Sequence, residues 1–117
     1  MTPLHDLHEL DAALLRAQSE PIVIFKHSPS CGISAQAAED IAQMLDTTVF
    51  PLPLYVVSVR AQREVSEAIS RRFGIRHESP QVLLVQGDAV LWHVSHFRVS
   101  GPEIRSAVQR FVAPATR

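Results

Sequence analysis

The sequence contains a single cysteine, Cys31, so an internal disulfide is excluded, and one free thiol suits a reducing compartment. It also lacks an excess of charge: 11 lysines and arginines stand against 12 aspartates and glutamates, a formal charge of −1. Such a balance gives no positive field to hold a polyphosphate backbone, and nucleic acid is not an expected partner. Apolar runs long enough to cross a bilayer are missing. Met1 to Asp11 is polar and acidic, without the basic start and apolar stretch of a secretory leader. The expectation is a cytoplasmic protein with no membrane contact.

What is present is an ordinary globular composition, 46% hydrophobic and 20% charged, in a chain of 117 residues. That length closes one hydrophobic core, so a single domain over residues 1–117 is expected. Nothing in the pattern fixes an oligomeric state, and a monomer is compatible with it.

Leu7, Leu10, Leu14 and Leu15 recur at helical spacing, and the stretch closes at Ser19-Glu20-Pro21, where proline cannot continue a helix. Pro21 to Phe25 is a short β-branched run, the pattern of a strand covered on both faces and central in its sheet. Ser28-Pro29-Ser30 supplies turn and cap chemistry, and Ile33, Ala37, Ile41 and Leu45 follow at every fourth position. A helix therefore begins at or beside Cys31. Leu52 to Val59 reads as a second buried strand. Val65, Ile69 and Phe73 mark a helix closed by Gly74. Gln81 to Gln86, Gly87-Asp88 and Ala89 to His93 read as a hairpin, and a last helix runs from about Gly101 to Val112. The order α-β-α-β-α-β-β-α predicts an α/β fold: a mixed central sheet of about four strands with helices on both faces.

A cysteine opening the helix after the first strand, with Ser79-Pro80 just before a hairpin, resembles the thioredoxin fold. The blocks Phe25-Lys26-His27-Ser28, Ile33-Ser34-Ala35, Phe73 to Gln81, Trp92-His93 and Ser95-His96-Phe97 resemble, in order, the YtxJ-type monothiol bacilliredoxins. One departure is Gly32, where that family often has proline; Cys-Gly-Ile-Ser is then close to the Cys-Gly-Phe-Ser of monothiol glutaredoxins.

The chemistry of Cys31 follows from its place. A thiolate is the nucleophile in thiol exchange, and the free amides and dipole of a helix start stabilise it. Lys26 and His27, in the approach from the strand, are candidates to add positive charge, with Gly32 and Ser34 completing the immediate surroundings. The alternative is that Cys31 is a small buried hydrophobe. Ser34 stands where a dithiol protein carries its resolving cysteine, and a hydroxyl cannot form a disulfide, so the mechanism is monothiol. In the plainer account Ser34 is a first-turn residue donating to nearby backbone.

The resemblance implies further roles. Pro80 would follow a cis bond, leaving the Ser79 backbone free to pair with an extended substrate, and His77 falls in the same substrate-contact block. The implied activity is a thiol-disulfide oxidoreductase that removes bacillithiol, a low-molecular-weight thiol and co-substrate, from S-bacillithiolated proteins, with no bound cofactor. Two alternatives stay open. One is an iron-sulfur carrier of the monothiol glutaredoxin kind, opposed by Val94-Ser95-His96-Phe97 in place of Gly-Gly-x-Asp. The other is a non-catalytic thioredoxin-fold binding module. No metal is expected: His93 and His96 are three apart, but no C-x-x-C or H-x3-5-H pair accompanies them.

Overall fold

A computed structural model describes residues 1–112 of the chain, so the end of the domain expected over 1–117 lies outside the described residues. The elements run β1 (Thr2–Pro3), α1 (Leu7–Arg16), β2 (Ile22–His27), α2 (Gly32–Thr47), β3 (Leu54–Ser58), α3 (Arg63–Phe73), β4 (Gln81–Gln86), β5 (Ala89–Ser95), a 3-10 turn (His96–Arg98) and α4 (Gly101–Phe111). They build a five-stranded sheet in the order β1-β3-β2-β4-β5. β2 pairs parallel with β3 and antiparallel with β4, which makes it the central strand that its β-branched run predicts.

The expected count of about four strands is corrected by β1. This two-residue strand pairs parallel with β3 through Thr2 opposite Tyr55 and Pro3 opposite Val56. It carries no apolar run to announce it, and its proline is tolerated because the strand lies at the sheet edge. Leu4, which follows it, is buried and donates its amide to the Val56 carbonyl.

Alternation along the central strands divides the core into two layers. Ile22 and Ile24 of β2, with Leu83 and Val85 of β4, pack against Leu10 and Leu14 of α1 and Val65 and Ile69 of α3. Val23 and Phe25, with Val82 and Leu84, pack against Ala37, Ile41 and Met44 of α2 and Ile104 and Ala107 of α4. Helices therefore cover both faces. The buried stripe of α2 is Ser34, Ala37, Ile41 and Met44, stepping by three or four, rather than the strict every-fourth row ending on Leu45. A helix turns 3.6 residues per turn, and a pure four-residue step drifts off the core face.

Two ends are set by local chemistry. Gly74 closes α3 in the left-handed conformation, φ +65°, where a side chain would be strained. Ser100 caps α4 by accepting from the Glu103 amide at 3.2 Å.

Candidate functional site

β2 runs toward Cys31, and β4 begins beside it, with Gln81 opposite Lys26. The loop before Cys31 and the loop holding Ser79-Pro80 therefore emerge at the same end of the sheet. The Ser79-Pro80 peptide bond is cis, as the resemblance implies.

Cys31 is the N-cap residue of α2, with extended backbone (φ −104°, ψ 123°), and is partly exposed. Its side chain makes no capping bond, so the sulfur is not engaged with the helix amides as a structural cap. The Cys31 amide donates to the Ser28 carbonyl at 3.1 Å and its carbonyl accepts from Ala35 at 2.9 Å, fixing the loop to the helix start. Gly32 opens the helix, and a Cβ there would meet nothing within 4 Å.

Ser34, at the position of an absent resolving thiol, is fully buried. Its Oγ accepts from the Ser28 amide at 2.8 Å and lies 3.2 Å from His27 Nδ1. The plainer expectation of donation to backbone is thus reversed: the hydroxyl accepts from backbone and is free to give its own proton to His27. Ser34 ties the first turn of α2 to the loop preceding the nucleophile.

Lys26 and His27 leave the strand through opposite faces and do not act together. His27 faces α2, with its ring 5.7 Å from that of Phe25. Lys26 goes through the opposite face, is 0% exposed, and its Nζ donates to Ser70 Oγ of α3 at 2.7 Å. His77 Nδ1 lies 3.5 Å from the same ammonium and 3.3 Å from Ser66 Oγ. Burial brings the Lys26 pKa down to about 8. His77 is also held below the ordinary histidine range, first by desolvation and then by the Lys26 charge. A neutral His77 presents Nδ1 as an acceptor to Lys26.

The sequence pattern gives no role to Arg60, Ser66 or Ser70, and gives Ser30 only a place in the turn before Cys31. Arg60 Nη1 donates to Ser30 Oγ at 3.0 Å, joining the segment after β3 to the residue before Cys31. Serine and arginine carry no periodic signal, and this contact spans 30 positions. Near the docking loop, Ser79 Oγ and Gln81 Oε1 are buried without a hydrogen-bond partner among the described residues.

Two cavities flank this end of the molecule. One, of about 490 Å³, lies between α2 and the turn after β5, lined by Gly32, Ile33, Ala37, Phe97 and Val99 among others. Phe97 is 84% exposed there, and His96 takes φ +58°, uncommon for a residue with a side chain. The other, of about 440 Å³, is lined by Val59, Arg60, Arg63, Ser66, Glu67 and His77. Among the described residues no group of three or more His, Cys, Asp or Glu is set to hold a metal ion. His96 Nε2 is instead 2.9 Å from Glu78 Oε1. Nor is any described helix long and apolar enough to cross a membrane.

A mixed sheet with helices on both faces, a cysteine at the start of the helix after the central strand and a cis-proline loop at the same end define a thioredoxin-fold protein with a thiol redox role. The family profile of the monothiol bacilliredoxin BrxC matches residues 2–104, and the chain belongs to that family. Among solved structures it is similar to a proposed oxidoreductase with a thioredoxin fold, at 22% identity, TM-score 0.76, covering 91% of each chain. It is also similar to Fasciola hepatica thioredoxin, at 14% identity and TM-score 0.73, covering 95% of this chain and 99% of that one. Thioredoxin O2 from Arabidopsis thaliana shares 17% identity at TM-score 0.72, with 96% and 94% covered. At these identities the structural likeness establishes the fold alone.

Proposed function

We propose that this chain is a monothiol thiol-disulfide oxidoreductase that removes bacillithiol from S-bacillithiolated proteins in the cytoplasm. The observation that carries the reading is the pairing of a partly exposed Cys31 at the head of α2 with a buried hydroxyl, Ser34, where a second thiol would resolve it. In the first step the Cys31 thiolate attacks the bacillithiol sulfur of the mixed disulfide. A bond forms between Cys31 Sγ and bacillithiol, the bond to the substrate protein breaks, and the protein sulfur leaves as a thiolate. Cys31 is oxidised as the substrate cysteine is reduced. The chain has no second cysteine, so an external thiol must release the conjugate.

His77, Ser79 and Pro80 serve substrate docking in this reading, which the cis Ser79-Pro80 bond at the Cys31 end of the sheet supports. The role of Lys26 is to hold His77 rather than to touch the sulfur. His27 and Ser34 hold the loop, and Gly32 leaves space beside the nucleophile. The test is to mix the protein with a bacillithiolated model protein and follow intact masses. Transfer of the bacillithiol mass onto Cys31 is expected; its retention on the model protein would refute the reading.

A further inference from the structure

Burying an ammonium is unfavourable unless an opposite charge compensates it, and such pairs are the rule for buried lysines. Lys26 departs from that rule. Among the described residues its Nζ meets a hydroxyl and an imidazole, Ser70 and His77, and it enters none of the ion pairs.

Ser66 and His77, hydrogen-bonded to one another in front of that ammonium, form part of the wall of the cavity of about 440 Å³. Arg60 and Arg63 line the same cavity, and Lys26 stands behind its His77 wall. One carboxylate is present, Glu67, and it is already engaged by Arg63 at 3.1 Å. With Arg63 and Glu67 offsetting each other, Arg60 in the lining and Lys26 behind it leave the cavity positive in a chain whose formal charge is −1. It is also tied to the nucleophile, because Arg60 holds Ser30, the residue before Cys31.

We propose that this cavity receives an anionic group, a carboxylate, carried by the small thiol that becomes joined to Cys31. The assignment rests on the thiol-exchange reading above and adds which half of the mixed disulfide is recognised, and by what. Arg60 and Arg63 supply charge-assisted donors at the rim, and Lys26 supplies the uncompensated charge behind the Ser66 and His77 wall. Recognition of this kind orients the small-thiol sulfur toward Cys31, so that attack falls there and the protein thiolate leaves.

The test compares three symmetrical disulfides with the full chain: 3,3'-dithiodipropionate (anionic), 2-hydroxyethyl disulfide (neutral) and cystamine (cationic). In each, Cys31 forms a bond to one sulfur and the other leaves as a thiolate. Each rate is divided by that of 2-mercaptoethanol with the same disulfide, which removes intrinsic reactivity. The anionic disulfide is expected to be preferred over the neutral one by about tenfold at low salt, the lower end of what a cleft of one charge achieves. The preference should shrink as salt rises. Arg60→Gln and Arg63→Gln should each bring the anionic-to-neutral ratio toward one, and Lys26→Met should do the same if that variant folds. Equal normalised rates for the anionic and neutral disulfides would overturn the anion site while leaving thiol exchange intact. No reaction with any of the three would overturn the exchange reading and this site together.

Discussion

Lys26 and His27 are neighbours in the central strand whose side chains leave through opposite faces of the sheet, one to Ser70 on α3 and the other to Ser34 on α2. Strand alternation forces this division. One polar pair fastens the active-site strand to the helix that follows Cys31, the other to the helix that precedes the docking loop. The two halves of the site are thus braced separately, and each brace can be removed without the other.

Removing the first brace is expected to cost stability without abolishing chemistry. Ser34→Ala leaves the half-buried Ser28 amide without its acceptor, a loss of about 0.5–1.5 kcal/mol. Urea unfolding should show that decrease while the variant still takes the small thiol onto Cys31. Unchanged stability would mean that the Ser34 hydroxyl is not a structural acceptor.

Ser34→Cys places a second sulfur one helical turn from the first. The conjugate that persists on the wild type should become an internal disulfide, with release of the small thiol. Intact mass separates the two products, and a conjugate that persists on this variant would show that the turn cannot bring the sulfurs together.

The second brace gives a pH signature. Lys26 has a pKa of about 8 in the fold against 10.5 when unperturbed, so between those values the unfolded chain holds more protons. Stability should therefore rise with pH through that window, by on the order of 3 kcal/mol in total at about 1.36 kcal/mol per pH unit. Lys26→Met lacks this rise, so the difference in stability between the two proteins should shift in favour of wild type from pH 8 to 10.5. Parallel curves for the two proteins would contradict an ammonium buried without compensation.

Much of this was legible before any coordinates. The β-branched run ending at Phe25, the cap chemistry of Ser28-Pro29-Ser30 and the turn Gly87-Asp88 fix the central strand, the start of α2 and the hairpin, because each is a local signal. β1 was not, since two residues at an edge have no periodicity and are held by pairing with β3, more than 50 positions away. The same reason hid the Arg60 to Ser30 contact and the Lys26 network: polar side chains meeting across 30 to 51 positions leave no spacing to read. The one-residue alternation that separates Lys26 from His27 is written in the strand itself.

Gly32 offers a test of the departure from the family's usual proline. It is the first residue of α2, Cys31 before it already has the extended backbone that precedes proline, and the space for a Cβ is open. Gly32→Pro is expected to raise stability by about 0.4–1 kcal/mol through the unfolded chain. Loss of stability in urea unfolding would show that the glycine is needed for the conformation of the loop.

The most direct test of the account is the intact mass of the protein after exposure to a bacillithiolated model protein, without added reductant. The wild type should carry one small thiol on Cys31 and keep it until an external thiol is supplied, and Cys31→Ser should carry none, because a serine hydroxyl stays un-ionised near neutral pH. Transfer retained by Cys31→Ser, or spontaneous release of the small thiol from the wild type, would contradict the monothiol mechanism.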